Sequence, residues 1–206
     1  MIYGTCKDRT EIRKQEQELL LQYECKEGEY SPLATMFFNE ELGAIRSIMS
    51  GYDGPGGIRL PPEQMIVYFM VWYFFTIITY GVWVPAGLFL PGIIIGCALG
   101  SIYQESYEKI FDIDQLSDNY SFKIVPIILA VGAMLSAYCR MTYSLVVIML
   151  ETSSAINIFV PMIIAVMVSH WVSNFFTPSL YASAIKTKGI PIMPHKAPVE
   201  TRDMEV

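Results

Sequence analysis

Hydrophobic and charged residues are segregated along this chain. Most of the charges lie in residues 1–63 and 186–206, and no Asp, Glu, Lys or Arg occurs between Met65 and Gln104. An uncharged run of this length is typical of a segment that lies in lipid. The pattern therefore predicts an all-α, multi-pass (polytopic) membrane protein with a polar segment at each end.

The apolar stretches predict helices of unequal length, several of them broken by proline. They are an amphipathic pair at 32–38 and 40–49, a full membrane span at 63–80, a helix from about Pro91 to Gln104, helices at 122–139, 142–150 and 156–176, and a last helix that starts with Thr177 as its cap and Pro178 in its first position. Tilted, broken and half-length helices of this kind are typical of transporters in which half-helices meet near the middle of the bilayer.

Polar stretches predict the connections between these helices. Asn39 is predicted to cap the helix at 40–49, and residues 25–30 (CKEGEY) are predicted to form a turn-rich linker. Residues 105–121, which are rich in Asp and Glu, are predicted to be a loop. Residues 7–24 fit either a loop or a short surface helix.

The segment from Tyr80 to Gly100 does not suit an ordinary membrane span. Two prolines and two glycines lie within Gly81–Pro91 and should break a helix there. A break at membrane depth leaves backbone groups without partners unless protein, water or an ion satisfies them. We therefore expect an ion site formed by the start of the helix that follows.

Composition narrows the possible functions of the 206 residues, of which 53% are hydrophobic and 17% charged. The net charge of −6 argues against a nucleic-acid partner. The apolar region holds no Ser/His/Asp set, HExxH motif or carboxylate pair, so a membrane enzyme ranks last, and no metal or cofactor is expected. The first 25 residues contain no apolar core typical of a secretory signal.

The four cysteines show no CxxC or Cys/His metal spacing. Cys97 and Cys139 lie in apolar helical stretches and are interpreted as small core residues, so the redox compartment stays open. Glu151 is predicted to have a structural role, and its pairing with Arg140, which interrupts the apolar run, is left open. His170 is predicted to be a packed or helix-bridging residue.

Four motifs, in order, resemble the CLC family of voltage-gated chloride channels and chloride/proton exchangers. Gly87-Leu-Phe-Leu-Pro91 followed by GIIIGCALG is similar to the family's GxFxP motif. The other three are CKEGEYSPLATMFFN, which resembles intracellular eukaryotic members, RMTYSLVVIMLET from Arg140 to Thr152, and Pro178-Ser-Leu-Tyr181. The resemblance covers roughly residues 23–198.

The resemblance implies a fold of two inverted halves per subunit and two subunits per dimer, with the dimer contact at residues 142–176. It implies chloride as the substrate, held by the backbone amides of Leu88 and Phe89 and by the hydroxyl of Tyr181. Gly87 and Pro91 would shape the turn before the helix. The intracellular-type motif favours a vacuolar or lysosomal type of membrane over the plasma membrane.

The chain also departs from the family pattern. Neither a GSGIP-like serine motif nor a GxEGP-like glutamate motif occurs in it. The resemblance therefore implies the second, C-terminal half of an inverted-repeat membrane domain. On this view residues 1–30 form a polar N-terminal segment, residues 31–185 form the transmembrane region, and residues 186–206 form a tail toward a regulatory domain.

Two functions remain open from the sequence. The first is anion transport as part of a chloride channel or a chloride/proton exchanger, with the 206 residues inactive by themselves. The alternative is a non-conducting membrane partner that dimerises with a related subunit. The choices between channel and exchanger and between chloride and nitrate also stay open, and the basic tail favours a cytoplasmic C-terminus.

Overall fold

A computed structural model describes residues 6–8, 20–23, 25–52, 58, 60–80, 82, 87–111, 120–153 and 156–191. The described part contains two short strands and eight α-helices. They are β1 (Lys7–Asp8), β2 (Glu29–Tyr30), α1 (Pro32–Phe38), α2 (Glu41–Ser50), α3 (Pro62–Thr79), α4 (Phe89–Phe111), α5 (Tyr120–Cys139), α6 (Tyr143–Ser153), α7 (Phe159–Phe176), preceded by a 3-10 turn at Ile156–Ile158, and α8 (Leu180–Lys188). The all-α prediction is confirmed.

The predicted break between the first two helices is confirmed, but the predicted cap is wrong. Ser31 begins α1 and accepts the Ala34 N–H at 3.4 Å, which satisfies one of the free donors at a helix start. The residue before α2 is Glu40, whose side chain makes no capping hydrogen bond. Asn39 instead ends α1 in an extended conformation.

Helix α4 is longer than predicted, because the acidic residues assigned to a loop find partners. The Tyr52 hydroxyl donates to Glu105 at 3.2 Å. Glu108 accepts from the Gln104 amide at 3.0 Å and lies 3.4 Å from the ammonium of Lys123 on α5. The helix therefore continues to Phe111. Of the rest of the predicted acidic loop, residues 112–119 lie outside the described residues and residues 120–121 belong to α5.

The start of α8 also differs from the prediction. Ser179, not Thr177, is the cap, and its hydroxyl accepts the Ala182 N–H at 3.1 Å. The helix begins at Leu180, so Pro178 lies before it rather than in its first position. Thr177 is extended, and its carbonyl accepts a hydrogen bond from Arg140.

Helix α4 packs on α5 through two glycines that allow the backbones to meet. A Cβ added at Gly96 would lie 2.7 Å from the Cα of Val131, and one at Gly100 would lie 2.7 Å from the Cα of Ile127. Small residues at helix contacts are typical of membrane proteins, since they permit close approach without a hydrophobic driving force.

Helix α5 also packs on α7, through small residues of both helices. A Cβ at Gly132 would lie 2.6 Å from the sulfur of Met162. The hydroxyl of Ser136 donates to the Val166 carbonyl at 3.1 Å, and that of Ser169 to the Ala133 carbonyl at 2.6 Å. Helix α5 is thus the central element, in contact with α4 on one side and α7 on another.

Among the described helices, the stretch Ile156–Phe176 is long and apolar enough to cross a membrane by length and hydropathy. Helix α3, predicted from the sequence to be a full span, does not meet the same test. Its first turn holds Glu63 and Gln64, which lower its hydropathy. Whether α3 crosses the bilayer stays a prediction.

A disulfide joins Cys6 to Cys25 beside the antiparallel pair β1–β2. The predicted turn-rich linker contains Gly28, whose φ of 95° is in the left-handed region that favours glycine. Cys97 and Cys139 are free; Cys97 is buried, as predicted for a core residue, whereas Cys139 is only partly buried. Of the stretch 7–24, residues 9–19 and residue 24 lie outside the described part of the chain.

Arg140 connects α5 to α6 and holds the end of α7. Its guanidinium donates to the carbonyls of His170 at 3.3 Å, Ser173 at 2.6 Å and Thr177. A cation at a helix C-terminus satisfies free carbonyls and opposes the negative end of the helix dipole. The pairing with Glu151 that the sequence left open is not found, since the guanidinium bonds to these carbonyls and Glu151 is exposed.

Candidate anion site

The start of α4 presents backbone N–H groups without partners inside the helix. The Leu88 carbonyl accepts the Gly92 N–H at 3.1 Å and closes the first turn. Because a peptide group is planar and trans, the N–H of Phe89 points the opposite way from that carbonyl, out of the helix start. Pro91 has no N–H to leave unpaired, so proline costs little in this first turn. Leu90, which the sequence analysis did not name, carries a further free N–H in the same turn.

The Leu88 carbonyl has a second donor, the hydroxyl of Tyr138 at 2.8 Å. Tyr138 is the second-last residue of α5. A Cβ added at Gly92 would overlap that hydroxyl and lie 2.9 Å from the ring carbon that bears it. The sequence did not identify Tyr138 or Gly92 as residues of the site. The one signal in the sequence was the position of Tyr138 directly after the small residues of α5.

Tyr181 lies in the first turn of α8, as predicted, and is 41% exposed. Its hydroxyl is 4.0 Å from the sulfur of Cys139. The backbone beside it is also held, since the hydroxyl of Tyr80 donates to the Leu180 carbonyl at 3.4 Å. The start of α8 therefore contacts the C-terminal end of α5 and the residue that follows α3.

The C-terminal end of α5 thus contacts both elements that carry the predicted anion ligands. Tyr138 bonds to Leu88, and the next residue, Cys139, contacts Tyr181. Within the described residues no hydrogen bond joins Tyr181 to Leu88 or Phe89. Their joint coordination of one ion stays a prediction.

In the described part of the structure, no close contact requires a glycine at position 87. A Cβ added at Gly87 would meet no described atom within 4 Å, and the φ of Gly87 lies outside the left-handed region. Most of the segment before it, residue 81 and residues 83–86, lies outside the described residues. The shaping of this turn by Gly87 and Pro91 therefore stays a prediction.

A cavity of about 470 Å³ adjoins the start of α4. It is lined by the second half of α3, by residues 87–91 and by Glu41 of α2. The two threonines in this lining, Thr76 and Thr79, donate to carbonyls of their own helix at 2.7 Å each. Apart from Glu41 the described part of the lining is uncharged, so the electrostatic attraction that these residues offer an anion comes from the helix start.

One cluster of possible metal ligands occurs in the described residues, away from α4. Ligand atoms of Cys6, Cys25 and Glu29 lie within 4.8 Å of one another. The two sulfurs are joined in the disulfide, and metals bind the thiolate form of cysteine. This cluster therefore does not form a metal site while the disulfide is intact.

Comparison with known proteins decides the family. The family model described as voltage gated chloride channel matches residues 28–174, well over half of the chain. The chain belongs to the voltage-gated chloride channel (CLC) family. The match includes the segment Gly87–Pro91 and ends before Tyr181. It confirms the resemblance found in the sequence, and the members of this family are integral membrane proteins.

Individual relatives match most of the chain. It is 33% identical to "Chloride channel protein C" of Dictyostelium discoideum over 91% of this chain and 23% of that protein. It is 29% identical to "H(+)/Cl(-) exchange transporter 7" of Bos taurus over 99% of this chain and 24% of that protein. It is 29% identical to "Chloride channel protein CLC-d" of Arabidopsis thaliana over 87% of this chain and 22% of that protein. The chain thus spans about a quarter of the length of these CLC relatives.

Proposed function

We propose that this chain forms part of a transmembrane chloride pathway, in a CLC channel or chloride/proton exchanger. The anion is held by the N–H groups of Leu88 and Phe89 and by the hydroxyl of Tyr181. The observation that carries the proposal is the first turn of α4. Its peptide bonds turn the Phe89 N–H out of the helix, in a chain that belongs to the CLC family.

The chemistry of this turn suits a mobile anion. A helix start carries about half a positive charge and free N–H donors, which replace part of the lost hydration of chloride. No Lys or Arg occurs from Met65 to Gln104. Neutral donors hold an anion while still allowing its release, and conduction needs both.

The amide groups can be observed one at a time, because the motif contains unique dipeptides. Leu88–Phe89 is the one Leu–Phe pair in the sequence, and Gly87–Leu88 is the one Gly–Leu pair. Labelling the first residue type with carbonyl carbon-13 and the second with nitrogen-15 gives one selected NMR signal for each pair. We expect both amide signals to shift in a saturable way when chloride replaces gluconate at constant ionic strength, with the chain in lipid nanodiscs.

Gly100–Ser101, the one Gly–Ser pair of the sequence, provides the control signal for this titration. It lies inside α4, where the Ser101 N–H is bonded within the helix. Its signal should not move with chloride. Chloride-independent signals for Leu88 and Phe89 would overturn the proposed anion contact.

The chain by itself is proposed to carry no chloride flux. The chain spans about a quarter of the length of each CLC relative. It therefore supplies only some of the anion ligands and only part of the pathway wall. Liposomes that hold residues 1–206 alone should show no chloride efflux above protein-free liposomes. Efflux from the chain alone would contradict this proposal. If efflux appears only after the first half of a CLC membrane domain is also supplied, that result would favour a role in transport over the role of a non-conducting partner.

The same proposal includes a dimer formed through residues 142–176 and surrounded by lipid. Support comes from large apolar side chains of α6 and α7 that no other described element covers, with exposed fractions of 63% at Val147, 58% at Ile164, 78% at Trp171 and 86% at Phe175. Light scattering in detergent should give the mass of two chains. A monomer at all protein concentrations would contradict the dimer.

The proposed location is an intracellular membrane of the vacuolar or lysosomal type. Its support is the resemblance of CKEGEYSPLATMFFN to intracellular members of the family. Membrane fractionation of cells that express a tagged chain tests it, and recovery with plasma-membrane markers would contradict it.

A further inference from the structure

We propose that Tyr138 is a positioning residue of the anion site, which holds the Leu88–Phe89 peptide with its N–H turned toward the anion. This inference rests on the proposed function. It assigns a role to a residue of α5 that is not itself a ligand, and it is carried by the hydrogen bond from the Tyr138 hydroxyl to the Leu88 carbonyl at 2.8 Å.

The Leu88 carbonyl is saturated by its two donors. A carbonyl oxygen has two lone pairs, and here one accepts the Gly92 N–H at 3.1 Å and the other the Tyr138 O–H. A rotation of this peptide plane would break both bonds and turn the carbonyl oxygen toward the anion. Because the peptide is rigid, fixing the oxygen also fixes the Phe89 N–H on its other side.

The first turn of a helix frays easily, because its first N–H groups have no partners inside the helix. In α4 the Gly92 N–H makes the first bond within the helix, and that single bond closes the turn. A hydroxyl that arrives from α5, 50 residues along the chain, adds a bond that does not depend on the helix itself. Hydrogen bonds in series also polarise one another, which makes the Phe89 N–H a better donor.

Gly92 provides independent support, because the Tyr138 side chain needs a residue without a Cβ at this position. A Cβ there would overlap the hydroxyl and lie 3.0 Å from the Cδ2 of Leu135. The contact therefore depends on one residue from each helix. Substituting either residue tests the same hydrogen bond by a different route.

The test compares Tyr138→Phe with the unmodified chain by the selective NMR labels described above. Without chloride, loss of the O–H donor should shift the Leu88 carbonyl carbon-13 signal, which reports its hydrogen bonding. The chloride midpoint of the Phe89 amide should rise roughly three- to tenfold, as expected for the loss of one hydrogen bond. Tyr103→Phe, at a 61% exposed tyrosine in the second half of α4, is the matched control and should change neither signal.

Gly92→Ala keeps the tyrosine but pushes its hydroxyl away, so it should give the same two changes. The double variant should be no worse than the more affected single variant, because both substitutions remove one contact. Equal melting temperatures would separate positioning from general unfolding. If Tyr138→Phe leaves the chloride midpoint unchanged while the unmodified chain responds, the positioning role is overturned and the proposed function stands. An unmodified chain that does not respond to chloride overturns both.

Discussion

The guanidinium of Arg140 and the carbonyl of Ser173 are joined by a 2.6 Å hydrogen bond, although 33 residues separate them in the chain. The same side chain bonds to the carbonyls of His170 and Thr177. These are carbonyls of the last two turns of α7 and of the residue that follows it. One residue at the end of α5 thus fixes the end of α7 and the chain that leads into α8, where Tyr181 lies.

Arg140→Gln should lower the stability of the fold. It removes a cation from the C-terminus of α7 and leaves partly buried carbonyls with fewer donors. We expect a loss of about 1–3 kcal/mol, measured as a lower melting temperature in detergent. Arg46→Gln is the matched control, since Arg46 is exposed on α2 and should change the melting temperature little.

The backbone of Arg140 gives this prediction a second part. Its φ of 60° is in the left-handed region, where a residue with a Cβ costs about 1–2 kcal/mol. Arg140→Gly loses the guanidinium but relieves that cost, so it should be less destabilising than Arg140→Ala. The reverse order of melting temperatures would show that the conformation of this junction is not as described.

Gly96→Ala should separate α4 from α5. The new Cβ would lie 2.7 Å from the Cα of Val131, a backbone atom that no rotamer change can move. Overpacking of this kind costs about 1–3 kcal/mol. Thermal unfolding measures the loss, with Gly87→Ala as the control for stability, because a Cβ at Gly87 meets no described atom within 4 Å. Equal effects of the two substitutions would contradict the close helix contact.

Thiol labelling should count two free cysteines in the denatured, unreduced chain and four after reduction. The two that label first are Cys97 and Cys139, because Cys6 and Cys25 form the disulfide. Disulfides persist in oxidising compartments, so the β1–β2 segment is expected on the non-cytosolic side of the membrane. The protein for this test is purified without reductant from a eukaryotic host. A count of four free thiols before reduction would contradict the disulfide and the topology inferred from it.

Phe89→Pro should weaken chloride binding far more than Tyr181→Phe. Proline is tolerated at the first position of a helix, so the substitution removes one proposed N–H donor while α4 keeps its start. Tyr181→Phe removes one hydroxyl and leaves the backbone donors in place. The Gly87–Leu88 amide signal reports the chloride midpoint in both variants. Unchanged midpoints in both would show that these residues do not bind the anion.

Much of this fold was predictable from local patterns. The uncharged run, the prolines and glycines of Gly81–Pro91 and the break near residue 39 determine where helices form and stop. They also indicated that a helix begins near Pro91 with free N–H groups, and α4 begins at Phe89. These features follow from neighbours in the chain, because helix propensity, proline geometry and transfer into lipid act over a few residues.

The remaining features depend on partners that are distant in sequence. Helix α4 runs past Gln104 because Tyr52 reaches Glu105 across 53 residues, and the Leu88 carbonyl is held by Tyr138 from 50 residues away. The local sequence determined that a helix with unpaired N–H groups begins within an apolar part of the chain. Only the tertiary structure decided which side chain fixes that helix start. The reason is that a hydrogen bond between helices requires their backbones to pack first, and the glycines at positions 92, 96 and 100 allow this.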